Sequence, residues 1–118
     1  MRDYRSLTVW QRADEVVLDI YRITGEFPVD ERFGLVAQMR RAAVSVASNI
    51  AEAAGRSTDP DAARLLSIAA GSASELEYQL DLAARLGHTK DPIDVTLGYI
   101  GEVKRMLRSL IKHWRSGT

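Results

Sequence analysis

Residues 60–86 read PDAARLLSIAAGSASELEYQLDLAARL, and their apolar side chains return every three or four positions. This spacing places them along one side of an α-helix, which has 3.6 residues per turn. The intervals alternate between four and three over the whole stretch, a pattern typical of a seam in a helical bundle or coiled coil. The seam consists of Ala62, Leu66, Ala69, Ala73, Leu76, Leu80 and Ala83.

A second apolar row lies beside this seam and widens the apolar arc of the helix. It consists of Leu65, Ile68, Leu82 and Leu86. Because the arc is wider than one neighbour requires, we expect this helix to contact two partner helices or another subunit. Gly71 interrupts the helix at a cost of about 1 kcal/mol relative to alanine, which predicts a close backbone crossing there.

Three further stretches show helical periodicity, and none shows the period-two alternation of a strand. The predicted helices cover about residues 7–24, 30–54, 60–86 and 92–114. Short connections between consecutive helices favour antiparallel neighbours. The sequence therefore predicts an all-α protein, an up-down-up-down antiparallel four-helix bundle, as a single domain over residues 1–118.

Prolines and glycines indicate where these helices begin and bend. Asp59-Pro60 and Asp91-Pro92 both predict an N-capping aspartate followed by proline in the first helical position. Gly34 predicts a kink near the start of the second helix.

Composition excludes several classes of protein. The 118 residues are 46% hydrophobic and 27% charged, and 16 basic residues balance 16 acidic ones, so a strongly basic nucleic-acid binder is not indicated. The absence of cysteine removes disulfides and thiolate-ligated metals and suits a cytoplasmic protein. No apolar run approaches the roughly 18 residues of a membrane helix, so we expect no membrane partner.

Residues for catalysis and metal binding were sought first among the histidines. A di-iron bundle needs Glu-x-x-His on two helices, and no glutamate here precedes a histidine at that spacing. His88 and His113 are interpreted as a loop and a surface residue, and no glycine-rich phosphate loop is present. The sequence predicts no catalytic residue, no metal site, no cofactor and no small-molecule substrate.

A polar row follows the apolar stripe of the second helix. It consists of Gln38, Arg41, Ser45, Asn49, Glu52 and Arg56. Three interpretations stay open: a solvated face, a structural network in which Arg41 meets Glu75 or Glu77 of the third helix, and a ligand or catalytic site that binds an anion. Networks of this kind fix helix register more than they stabilise.

The fourth helix carries a basic face. Its members step by four, four and three residues: Lys104, Arg108, Lys112 and Arg115. One interpretation is a solvated face whose cations suit the negative end of the helix dipole. The other is contact with nucleic-acid phosphates or an acidic partner, which repetition in an oligomer would strengthen.

Several motifs together resemble one known family. They are LTVWQRA at 7–13, FP at 27–28, FGL at 33–35, QMRRAA at 38–43, SVASNIAE at 45–52 and IAAGSASELE at 68–77. The set resembles the four-helix-bundle family named for proteins encoded in intervening sequences of 23S ribosomal RNA genes, over nearly the whole chain. Ala47 and Ala53 depart from the proline and glycine that are common in the family pattern.

The resemblance implies a left-handed bundle that assembles into a ring-like homo-oligomer, a pentamer, with no established enzymatic activity. A related branch works with a reverse transcriptase and binds nucleic acid, but that branch is basic and this chain is not. The leading hypothesis is therefore a non-enzymatic bacterial scaffold or adaptor in the cytoplasm. The alternatives are a protein that binds RNA or DNA through the fourth helix and an enzyme with an unrecognised site between subunits.

Overall fold

The computed structural model describes residues 3–56 and 58–115, most of which lie in four α-helices. The helices are α1 (Thr8–Thr24), α2 (Ala37–Ala54), α3 (Asp59–Arg85) and α4 (Asp94–Arg115). Short 3₁₀ turns at Tyr4–Ser6 and Val29–Glu31 precede α1 and α2. The described residues contain no strand, so the all-α prediction is confirmed.

The four helices pack side by side as an antiparallel bundle. Helix α1 contacts α2 and α4, and α3 contacts the same two helices from the opposite corner. At 1.5 Å per residue the 27 residues of α3 span roughly 40 Å, close to the 46 Å length of the molecule. The four-helix bundle is confirmed, whereas its left-handed sense stays a prediction.

The α3 seam forms the centre of the core. Leu66, Ala69, Leu76 and Leu80 are fully enclosed, and every other member of the seam is buried as well. Large side chains from the other three helices meet them: Ile20, Met39, Ile50, Ile100 and Leu107. The apolar periodicity of residues 60–86 therefore identified the side chains around which the bundle packs.

Three helices begin at residues other than those predicted. Helix α2 begins at Ala37 rather than near residue 30, because a 3₁₀ turn and a π-helical turn occupy residues 29–36. Thr58 caps α3: its backbone is extended and its Oγ1 accepts a hydrogen bond from the Asp61 N–H at 3.4 Å. Asp59 is consequently the first residue inside the helix rather than its cap. Helix α4 begins at Asp94, so the predicted start at Pro92 was also wrong.

The predicted kink at Gly34 is confirmed. A π-helical turn over Arg32–Val36 leads into α2, and Gly34 within it has non-helical φ and ψ of −102° and −107°. The kink lets the chain between Pro28 and α2 change direction before the long helix begins.

The wide apolar arc of α3 is only partly covered. Leu65 is buried and Leu82 is half-buried, while Ile68 and Leu86 are exposed. The close crossing predicted at Gly71 was wrong, because a Cβ atom added there would meet no atom within 4 Å. Gly71 lies on the solvent side of the helix, five residues from both Leu66 and Leu76.

Candidate interaction surfaces

The centre of the polar row joins α2 to α3. The Oγ atoms of Ser45 and Ser72 lie 2.8 Å apart and share a hydrogen bond between the two helices. The Nδ2 of Asn49 donates to the carbonyl oxygen of Ser45 at 2.8 Å and to its Oγ at 3.1 Å. These side chains are half-buried, so this part of the row has the geometry of a structural network.

The C-terminal end of the row connects α2 to the start of α3. Arg56 pairs with Glu52 one turn earlier at 2.7 Å and reaches Asp61 of α3 at 3.4 Å. All three side chains are at least 38% exposed, so each pair contributes less than about 1 kcal/mol. Their role is to hold the turn between the two helices rather than to stabilise the bundle strongly.

The predicted contact from Arg41 to α3 does not form. Glu77 turns toward α4 and pairs with Lys104 at 3.0 Å, while Arg41 and Glu75 make no ion pair within residues 3–56 and 58–115. Arg41 and Glu75, with Gln38, Ser45 and Ser72, line an open groove of about 390 Å³ between α2 and α3. We call this the α2–α3 groove.

A buried amide lies on the same side of α3 as Ser72, two turns further along. Gln79 is 5% exposed, and its Oε1 has no hydrogen-bond partner among the described residues. No sequence pattern singles out Gln79, since it falls between Leu76 and Leu80 of the seam. An unpaired buried acceptor of this kind lowers the stability of the fold.

The basic face of α4 divides into paired and unpaired cations. Lys104 is half-buried and held by Glu77, whereas Arg108 and Lys112 are exposed and have no acidic partner in the described part of the chain. The side chain of Arg115 lies outside the described residues. The face therefore presents Arg108 and Lys112 to solvent.

Helices α1 and α4 are joined by a cation between two acids. Arg12 pairs with Glu102 of α4 at 2.8 Å and with Glu15 at 2.9 Å, and its guanidinium carbon lies 4.1 Å from the centre of the Tyr99 ring. Loss of solvent alone would lower the pKa of Arg12. The carboxylates of Glu102 and Glu15 outweigh that effect and raise this pKa above its ordinary value.

The two loops at one end of the bundle are joined through a histidine. His88 Nε2 and Glu31 Oε2 lie 2.9 Å apart, and the His88 ring lies 5.5 Å from that of Phe27. His88 lies in a loop, as predicted, and its side chain is only 18% exposed. It links the segment before α2 to the turn that follows α3.

Exposed large apolar side chains are concentrated toward the same end. The exposed ones are Leu18, Tyr21, Val29, Phe33, Val44, Ile68, Tyr78, Leu86 and Val95. Among these described residues all but Ile68 lie in the half of the bundle that carries the α1–α2 and α3–α4 connections. Exposed apolar side chains grouped in this way mark interaction surfaces.

A second groove runs between α1 and α2. It has a volume of about 330 Å³ and is lined almost entirely by apolar side chains: Tyr4, Trp10, Val17, Val44, Ala47 and Ala51. Asp14 and Ser48 are its two polar lining residues, and Asp14 makes no ion pair within residues 3–56 and 58–115. We call this the α1–α2 groove.

The described residues contain no group of three histidine, aspartate or glutamate side chains placed to hold a metal ion. None of the helices described combines the length and apolar character that crossing a membrane requires.

The fold and its surfaces define a small all-helical bundle protein. It has a polar groove between α2 and α3 and an apolar groove between α1 and α2. The sequence model of the 23S rRNA-intervening sequence proteins matches residues 5–109, and the chain belongs to this family. The match reaches from the turn before α1 to the last third of α4 and includes every lining residue of the two grooves except Tyr4. No curated protein sequence matches the chain.

Proposed function

We propose that the protein is a non-enzymatic homo-oligomeric scaffold or adaptor of the bacterial cytoplasm. The observation that carries this proposal is the group of exposed large apolar side chains at one end of the bundle. A monomer would leave these side chains partly in water, where each forgoes a part of the about 1.5–3 kcal/mol that full burial contributes. Association with further copies removes part of this apolar surface from solvent without any other partner.

The proposed assembly is a closed ring of five subunits. A ring requires two different surfaces on each subunit, because every copy must contact one neighbour with each. The α1–α2 groove is apolar, and the exposed Phe33 lies outside it, so the bundle does present two unlike surfaces. The order of five rests on the resemblance to the family.

Light scattering coupled to size exclusion at low micromolar concentration tests the oligomer. We expect a mass about five times the 13.1 kDa of the chain. A mass near 13.1 kDa would contradict the oligomer, and a dimer or tetramer would contradict the ring of five.

The scaffold role is tested by capture from native bacterial lysate with both protein and RNA identified. We expect protein partners that stay bound after nuclease treatment. Recovery of RNA alone would favour the second candidate function.

That second candidate is binding of nucleic acid through α4. It is supported by Arg108 and Lys112, which are exposed and have no acidic partner in the part of the chain that the structure describes. In a ring each pair of cations would be repeated in every subunit and would form a larger positive field.

A double substitution tests this candidate. Arg108→Gln with Lys112→Gln should lower RNA affinity and flatten its salt dependence by about one unit per lost phosphate contact. The matched control is Arg64→Gln with Arg85→Gln, which removes the same charge from exposed α3 arginines already paired to Asp61 and Asp81. Equal RNA binding by both double variants would exclude the α4 face.

A further inference from the structure

The segment between α1 and α2 presents one aromatic side chain to solvent from a fixed backbone. Phe33 is 89% exposed, the highest value among the exposed large apolar side chains. The residues on either side are anchored: Phe27 and Val36 are buried, and Glu31 is held by His88. The backbone that carries the ring is therefore pre-positioned, which lowers the entropy lost when this segment binds a partner.

A cation accompanies this ring. Arg32 is exposed, its guanidinium carbon lies 6.0 Å from the centre of the Phe33 ring, and it makes no ion pair within residues 3–56 and 58–115. Aromatic residues and arginine are the types most enriched at the centres of protein interfaces. We call Arg32 and Phe33 the knob.

The α1–α2 groove has the complementary chemistry. Tyr4 and Trp10 pack edge to face with ring centres 4.9 Å apart and form one end of it, and the small side chains of Ala47 and Ala51 leave space between the helices. The half-buried carboxylate of Asp14 lies in this apolar surrounding without an ion pair in the described residues. Neither knob residue lines the groove of its own chain.

The geometry points to a contact between copies in which the knob of one subunit occupies the α1–α2 groove of the next. Phe33 contacts Trp10 and Val44 of the second copy, and Arg32 pairs with its Asp14. A second copy is the occupant because every chain carries two complementary surfaces. The knob combines an exposed cation with an aromatic ring, and the α1–α2 groove combines apolar side chains with an acid that has no ion pair in the described residues. This inference rests on the proposed homo-oligomer and adds which surfaces form it.

The contact is heterologous, since two different patches meet. Each subunit that offers its knob to one neighbour keeps its own groove open for another, so the chain of contacts continues until the ring closes. The open groove of about 330 Å³ has space for a phenyl ring.

Truncation of the knob tests the apolar half of the contact. Phe33→Ala should raise the dissociation constant between subunits at least about tenfold, as truncation of an interface aromatic commonly does. The matched control is Tyr78→Ala, which removes a 60% exposed aromatic from α3, away from both surfaces. Light scattering over a dilution series measures the mass, and circular dichroism checks that both variants keep their helices.

A charge exchange tests the polar half and does not depend on loss of an aromatic. Asp14→Arg and Arg32→Asp should each dissociate the particle, because each places two like charges at the contact. The double variant should restore the wild-type mass.

The outcomes separate this inference from the proposal beneath it. A monomeric wild type overturns both. An oligomeric wild type whose mass survives Phe33→Ala and both charge reversals overturns the knob-and-groove contact and leaves the oligomer standing. Dissociation by either charge reversal without restoration in the double variant overturns the pairing of Arg32 with Asp14.

Discussion

Helix α2 borders two grooves that differ in the side chains they expose to water: polar ones toward α3 and apolar ones toward α1. Toward α3 it presents polar side chains joined by the Ser45–Ser72 hydrogen bond, and the remaining polar groups of that groove are open to water. Toward α1 it presents Val44, Ala47 and Ala51 opposite Trp10 and Val17, with one acid among them. An isolated bundle tolerates the first groove, whereas the second gains stability when another surface covers it.

The comparison shows how one helix can support two kinds of contact. Side chains one turn apart lie on the same face of a helix. The polar row and the apolar row of α2 are separated by about a third of a turn, so they face different neighbours. The polar row fixes how α2 and α3 are aligned within the subunit. The apolar row on the other side is available for the proposed contact between copies.

The largest loss of stability is expected from a substitution in the core. Leu76 is fully buried in the α3 seam, so Leu76→Asp places an unpaired charge in the core. Its penalty of several kcal/mol competes with a total stability of roughly 5–15 kcal/mol, and we expect no cooperative unfolding transition. Thermal unfolding followed by circular dichroism measures this, with the exposed Tyr78→Asp as control. A wild-type melting curve for Leu76→Asp would show that the seam is not the core.

The next effect distinguishes the two grooves directly. Val44→Asp places a charge in the apolar groove at a residue that is 40% exposed, so it should dissociate the particle while each subunit stays folded. We expect at least about a tenfold rise in the dissociation constant between subunits. The same charge in the polar groove, as Gln38→Asp, should leave the mass unchanged. If both variants change the particle mass equally in light scattering, the two grooves do not differ in their role in assembly.

A smaller effect is expected in the network of the polar groove. Ser45→Ala removes the partner of the Ser72 hydroxyl and one acceptor of the Asn49 amide. The free energy of unfolding should fall by about 0.5–1.5 kcal/mol. Urea denaturation measures the change against Ser74→Ala, which alters an exposed serine of α3. The same small change in both variants would show that the network does not stabilise the subunit.

The smallest effect has the opposite sign. Gly71→Ala should raise the free energy of unfolding by about 0.5–1 kcal/mol, since the added methyl meets no atom and alanine favours the helix. Gly87→Ala should destabilise, because Gly87 has a φ of +78° that a side chain rarely adopts. Melting temperatures measured side by side decide this. Destabilisation by Gly71→Ala would restore the close crossing that the sequence suggested.

The sequence was sufficient to predict the helices and the core. Buried positions of a helix recur every three or four residues, so apolar side chains recur at the same spacing. Residues 60–86 identified the seam, and Gly34 identified the kink. The sequence was insufficient to predict which side chains pair between neighbouring helices. Periodicity gives the face on which Glu77 lies but not the neighbour it meets, and Lys104 of α4 meets it rather than Arg41 of α2.

The knob was missed for a related reason. Phe33 belongs to no apolar row, and only the bend at Gly34 and the anchoring of Glu31 by His88 determine that its ring faces solvent. The α1–α2 groove likewise depends on how two helices lie beside each other. The corresponding feature of the sequence is that Val44 and Ala47 lie beside the apolar stripe of the second helix.

The most direct test of the account is to capture the contact between copies. The photo-reactive analogue p-benzoylphenylalanine replaces Phe33 in chains labelled with ¹⁵N, which are mixed with unlabelled chains, irradiated and analysed by mass spectrometry of the cross-linked peptides. We expect links from position 33 to peptides containing Trp10 or Val44, with the two isotope labels combined in one product. Links that join position 33 to α3 or α4, or links confined to a single chain, would contradict it.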